Sequence, residues 1–157
     1  MSAIVSETKN SIKECILNAV GRAVANGDFP AEPLPAFSIE EPADKSHGDF
    51  AVNAAMIWAR ALKNSPRNIA TKIAENIDFS GTYVDRMEIA GPGFINFYLK
   101  DEYYAAVLKD IENCGENYGN STMGNGKKVM VEFVSANPTG PMHIGNARGG
   151  ALGDTLA

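Results

Sequence analysis

Two cysteines, two histidines and a single tryptophan in 157 residues leave little material for several kinds of chemistry. Cys15 and Cys114 lie far apart, with no CxxC and no histidine pair beside either, so neither a structural zinc site nor a dithiol redox pair has support. Both fall in segments of helical periodicity and read as buried thiols. No metal site is expected. No apolar run approaches the ~18 residues of a membrane span. The opening MSAIVSETKNSIKE has no basic stretch leading into an apolar one, which points to a cytoplasmic protein with no membrane partner. Bases are also in deficit, 14 against 19 acids for a net charge of −5, which excludes an all-over basic nucleic-acid coat but not a local patch. The chain is 45% hydrophobic. A chain of this length buries roughly 70% of its unfolded surface, enough for a core without disulfide or metal.

Apolar residues Ile12, Ile16, Val20, Ala23 and Val24 recur at three- and four-residue steps, predicting an amphipathic helix from about Ser6 to Asn26, ended by Gly27. Prolines 30, 33, 35 and 42 then imply an exposed, extended connection around a short strand, Phe37 to Glu40. In SHGDFAVNAAMIWARALK, Ser46 or Asp49 can cap a helix with Phe50, Ala54, Ile57, Trp58 and Leu62 on one side. Ser65-Pro66 opens another, with Ile69, Ile73, Ala74 and Ile77 inward, so the two read as a helical hairpin. From Tyr83 to Leu99 the period falls to two, broken by Gly91-Pro92-Gly93, which predicts an antiparallel strand pair with Phe94, Phe97 and Leu99 as packing residues. Asp101 caps a further helix, with Tyr104, Val107, Leu108 and Ile111 spaced for burial.

The turn-rich tract 119–128 reads as a linker between a domain of residues 1–118 and a second segment, 129–157. Residues 129–134, VMVEFV, have the near-continuous apolar character of a strand covered on both faces in a parallel sheet. The loop after it, Ser135-Ala136-Asn137-Pro138-Thr139-Gly140-Pro141-Met142, leads into a helix starting near His143-Ile144-Gly145-Asn146. A strand–loop–helix junction presents free N–H groups and a positive dipole end, for which phosphate is the natural guest. His143 and Asn146 are three apart and share one face of the first turn, and Gly145 leaves room for a flat ring. There is no GxGxxG, and Gly126-Lys127-Lys128 lacks the rest of a P-loop.

His143-Ile144-Gly145-Asn146 resembles the HIGH signature of class I aminoacyl-tRNA synthetases. The surrounding VEFVSANPTGPMHIGNARGGALGD is similar to the arginyl-tRNA synthetase form of it, with the motif running from Ala136 to Asn146. GDFAVNAAMIWA (48–59) and GPGFINFYL (91–99) resemble the N-terminal domain of that family. The resemblance implies an α+β fold: an antiparallel sheet packed by helices, followed by the truncated first βα unit of a Rossmann-like catalytic domain. It implies an arginine–tRNA ligase, with arginine, Mg-bound ATP and tRNA(Arg) as substrates. ATP binding would fall to Pro141, His143, Gly145 and Asn146, catalysis to His143 and Asn146, and arginine binding to Glu132, Ser135 and Asn137. Glu132 could equally end the strand at solvent or pair with Arg148. The second signature histidine is replaced here by Asn146, whose amide donates hydrogen bonds but carries no charge.

The family's N-terminal domain approaches the D-loop corner of tRNA. Between residues 44 and 72, Lys45, Arg60, Lys63, Arg67 and Lys72 face only Asp44 and Asp49, a local positive excess suited to phosphates. Phe29, Phe37, Phe79 and Tyr83 are candidates for stacking on unpaired bases. His47 reads as a cap. Gly149 and Gly150 read as small residues that let a helix approach a sheet. The chain stops inside the first helix of the nucleotide fold, so a piece of a longer protein, inactive alone, is expected. The rival reading is a non-catalytic tRNA-binding module. A nucleotidyltransferase is a weaker rival, because it would leave 48–59 and 91–99 unexplained.

Overall fold

In the computed structural model, which describes residues 3–137 and 139–157, the chain divides into two units, one running to Asn120 and the other Ser121–Ala157. The first is α+β. Helix α1 (Ala3–Ala25) buries Thr8, Ile12, Ile16, Ala19, Val20 and Ala23. Past its end, Gly27 takes φ +84°, and the N–H groups of Gly27 and Asp28 donate to the carbonyls of Val24 and Ala23. The left-handed turn thus satisfies the last carbonyls of the helix.

The proline-rich connection is anchored rather than loose. Phe29 and Phe37 are buried, Phe37 meets Trp58 edge-to-face at 5.1 Å, and Trp58 Nε1 donates to the Pro35 carbonyl at 2.8 Å. Of the strand expected at 37–40, only Ile39–Glu40 pairs, as β1.

The expected helix capped by Ser46 or Asp49 is corrected at its start. Lys45–His47 is one 3-10 turn capped by Asp44, whose carboxylate accepts from Ser46 N–H at 2.9 Å. Phe50–Val52 is a strand, β2, and helix α2 covers only Ala54–Trp58. The reason lies across the sheet: Asp49 N–H donates to the Phe97 carbonyl at 2.8 Å, and its carboxylate accepts from Leu99 N–H at 2.9 Å. A long-range ladder thereby overrides local helical spacing. Gly48 permits this approach. It has φ +85°, and a β-carbon there would lie 2.6 Å from the Phe97 oxygen.

Helix α3 (Pro66–Asn76) starts as expected, with Ser65 Oγ accepting from Asn68 N–H at 3.3 Å. It buries Ile69, Ala70 and Ile73, with Ala74 exposed. The hairpin β3 (Val84–Ala90) and β4 (Phe94–Leu99) forms around Gly91–Gly93. The sheet is antiparallel throughout, in the order β1-β2-β4-β3. Ile95, Phe97 and Leu99 point to the helices, while Phe94, on the opposite face, is 42% exposed, which corrects its reading as packing. Helix α4 (Asp101–Cys114) is rotated from expectation: Tyr103 is buried, whereas Tyr104, Leu108 and Ile111 are exposed. The Tyr103 ring packs edge-on against Phe50 and Tyr83 and so fixes that rotation. Cys15 is half-buried and Cys114 exposed, so the expectation of two buried thiols fails. Burial and the nearby carboxylates of Asp78 and Glu14 raise the Cys15 pKa.

In the second unit, residues 129–134 form no strand. Val129 and Met130 are exposed, and Val134 takes φ +60°, which turns a β-branched residue out of extended geometry. A parallel strand needs neighbours for its backbone groups, and the described residues of this unit supply none. The segment instead leans on helix α5 (Ile144–Leu156). A β-carbon on Gly150 would lie 3.0 Å from Val134, and one on Gly153 would run into the Phe133 ring. Close approach therefore uses Gly150 and Gly153, while Gly149 faces open space.

Candidate functional site

Helix α5 begins where sequence reasoning put it. His143 is the N-cap residue, in extended conformation at φ −96° and ψ 172°. Its Nδ1 accepts from Gly145 N–H at 3.1 Å, and the Asn146 side-chain oxygen accepts from His143 N–H at 3.2 Å. Two free donors of the first turn are thereby satisfied reciprocally, in the manner of a capping box. Gly145 allows it, because a β-carbon there would lie 3.0 Å from His143 Cε1. The ring that lies over Gly145 in this structure is thus the His143 imidazole.

Beside this cap is a polar cavity of about 340 Å³ lined by Ser135, Ala136, Asn137, Thr139, Gly140, Pro141, Met142, His143 and Asn146. The structure therefore brings the candidate ATP residues Pro141, His143 and Asn146 together with the candidate arginine residues Ser135 and Asn137. Gly145 sits behind the His143 ring, and Ile144 is exposed. Pro138 lies outside the described residues. Glu132 does not line the cavity but accepts a hydrogen bond from Ser135 Oγ. No ion pair joins it to Arg148 among the described residues. Nor does any group of three or more His, Cys, Asp and Glu side chains there form a metal-binding cluster.

The first unit carries a different kind of concavity. On the outer face of the sheet a groove of about 500 Å³, mainly apolar, is lined by Ala51, Ala90, Phe94 and Asn96, with Glu40–Asp44 and His47 along one wall. Phe94 and Asn96 share that face because strand side chains alternate. His47 is a groove residue, since Asp44 supplies the cap. Sequence reasoning missed this site. The alternation of GFINFYL contained it, but not which face was covered. Of the four aromatic residues named for stacking, Phe29 and Phe37 are buried and so closed to a base, while the half-buried Phe79 and Tyr83 pack edge-on against Phe97 and Tyr103.

The basic candidates separate. Lys72 is engaged by Asp28 at 3.2 Å and Glu75 at 2.9 Å, and these hydrogen bonds, Glu75 first, raise its pKa. Arg67 donates to the Gly91 carbonyl at 3.0 Å. Arg60 and Lys63 rim a shallow hollow with Pro33, Pro35 and Ile57, and Lys45 is exposed on the 3-10 turn. Among the described residues, no helix is long and apolar enough to cross a membrane.

An antiparallel sheet with helices on one face and an open groove on the other defines a small α+β domain, and solved proteins have this fold. The arginyl-tRNA synthetase of Plasmodium falciparum is similar over 94% of this chain and 27% of its own, with a TM-score of 0.59 and 22% identity. Residues 7–99 match the family model described as the arginyl tRNA synthetase N terminal domain, and the chain belongs to that family. Two curated relatives, each called arginine–tRNA ligase, match all 157 residues: that of Acetivibrio thermocellus at 52% identity and that of Caldanaerobacter subterraneus subsp. tengcongensis at 50%. The chain spans 28% of the length of each.

Proposed function

We propose that the chain is the tRNA-facing domain, residues 1–118, and the opening of the Rossmann-like catalytic domain, residues 129–157, of a cytoplasmic arginine–tRNA ligase, joined by a linker at 119–128. The complete enzyme activates arginine with Mg-bound ATP, forming arginyl-adenylate and pyrophosphate, and then esterifies tRNA(Arg). The observation that carries this reading is the convergence of Ser135, Asn137, His143 and Asn146 on one polar cavity at a helix N-terminus. There the positive end of the helix dipole favours anionic oxygens. Ser135 and Asn137 offer hydroxyl and amide groups for the arginine carboxylate and amino group. His143 and Asn146 face the charge that develops on the α-phosphate. The exposed Val129, Met130, Ile144 and Leu156 support a catalytic domain that covers them, since so much apolar surface is costly in water.

The test uses a polypeptide of the relatives' length and measures arginine-dependent pyrophosphate exchange with tRNA present. His143→Ala should slow it by roughly a hundred- to a thousandfold, the scale of losing one transition-state donor. An unchanged rate would refute the assignment.

In the first unit the groove suits a nucleobase better than phosphate. Glu40 and Asp44 repel phosphate, and Phe94 offers a stacking face. An unpaired D-loop base is the occupant this reading favours, with Arg60, Lys63 and Lys45 as the phosphate contacts left free of ion pairs among the described residues. The same groove favours the second reading, a tRNA-binding module without catalysis. A coding frame that ends after Ala157 would support the module, and one that continues for some hundreds of codons the ligase.

A further inference from the structure

Asn146 stands where the family signature has a histidine, and its geometry gives it a task of its own. Its side-chain oxygen accepts from His143 N–H at 3.2 Å, which holds His143 at the cap position. With the backbone so held, the imidazole lies against the first turn and Nδ1 accepts from Gly145 N–H at 3.1 Å. An acceptor nitrogen carries no hydrogen, so the neutral ring must carry its hydrogen on Nε2. The Asn146 amide has a second end, Nδ2, with two hydrogens, and Asn146 lines the same cavity as His143. An amide can accept through oxygen and donate through nitrogen at the same time, whereas a neutral imidazole has one acceptor and one donor at fixed ring positions.

We infer that Asn146 is a positioning residue that sets the tautomer of His143, so that Nε2–H and the Asn146 amide hydrogens form a pair of uncharged donors facing the cavity. The role rests on the adenylate-site reading for its purpose, but not for its observation. A charged second histidine is unnecessary here because one residue supplies both the cap acceptor and a donor.

The experiment is long-range proton–nitrogen NMR of the imidazoles in this 157-residue chain, at a pH where they are neutral. The chain has two histidines, and His47→Gln assigns the spectrum. The wild-type His143 and Asn146→Gln, which retains the capping-box chemistry, should show a single Nε2–H tautomer. Asn146→Ala should shift the ratio about fivefold toward the other tautomer, the equivalent of one ordinary hydrogen bond. Asn146→Asp should keep the tautomer, because its carboxylate still accepts, yet in a polypeptide of the relatives' length it should lose ATP binding at least tenfold, because a carboxylate cannot donate and repels the phosphates. Gly145→Ala separates this from fraying of the helix: alanine strengthens a helix but would displace the ring, so the single tautomer should vanish while helix content rises. A wild-type mixture, or an unaltered ratio in Asn146→Ala or Gly145→Ala, overturns the positioning role. If ATP moves neither His143 nitrogen in a polypeptide of the relatives' length, the adenylate reading falls, and the positioning role is still decided by the tautomer ratio.

Discussion

Phe94 and Phe97 lie three residues apart on β4 but on opposite faces of the sheet, and replacing each by alanine should separate binding from folding. Phe97 is fully buried, packed against Phe79 at 6.2 Å between ring centroids. Its truncation removes a complete aromatic contact and leaves a cavity, at a cost of about 3–5 kcal/mol. Much of a domain's stability, some 5–15 kcal/mol, would then be gone. Phe94 is 42% exposed and pairs with Ala90 at the turn end of the hairpin, so its truncation should cost less than about 1 kcal/mol of stability. If its ring stacks on an unpaired base, tRNA affinity should fall by about 1–3 kcal/mol, roughly five- to 150-fold. Fluorescence anisotropy with a tRNA(Arg) transcript, beside thermal melting by circular dichroism, reads both quantities. Stacking releases no counterions, so the loss should be nearly the same at low and high salt. A folded Phe94→Ala chain that binds tRNA like the wild type would refute the base-stacking groove.

Reversing Arg60 and Lys63 to glutamate should also weaken tRNA binding, but with a shallower salt dependence in the remaining affinity; an unchanged salt slope would remove them from the interface. Gly48→Ala should lower the melting temperature by about 10 °C, from a forced β-carbon contact with the Phe97 oxygen and backbone strain of about 1–3 kcal/mol; melting within 2 °C of wild type, about the measurement error, would count against the fit described. Burial of its hydroxyl, together with a 2.5 Å hydrogen bond to the Asp49 carboxylate, pushes the Tyr104 pKa from 10 up to about 12. The folded state therefore favours the protonated phenol. Its contribution is fully present below pH 10 and is lost as pH rises toward 12. The alkaline fall in urea midpoint over that window should be smaller in Tyr104→Phe, and equal slopes would exclude the hydroxyl as its cause.

Local sequence settled those elements whose stability is mostly local. The stripe of α1, the Ser65-Pro66 start of α3, the hairpin around Gly91–Gly93 and the capped start of α5 at His143 all follow from helical period, cap chemistry or turn chemistry within a few residues. The signature loop and its family were legible for the same reason, because its residues are contiguous. Tertiary structure decided everything that depends on a distant partner. Phe50–Val52 becomes a strand because β4 lies alongside to pair with it and Phe97 and Leu99 hold Asp49 at its start, and α4 turns Tyr103 inward because Phe50 and Tyr83 receive its ring. Phe94 is left open because the helices cover the other face. VMVEFV carries the pattern of a buried parallel strand, but a pattern forms no hydrogen bonds, and without neighbouring strands its residues lie along α5 instead. Periodicity specifies which residues share a face, and only packing specifies which face is covered.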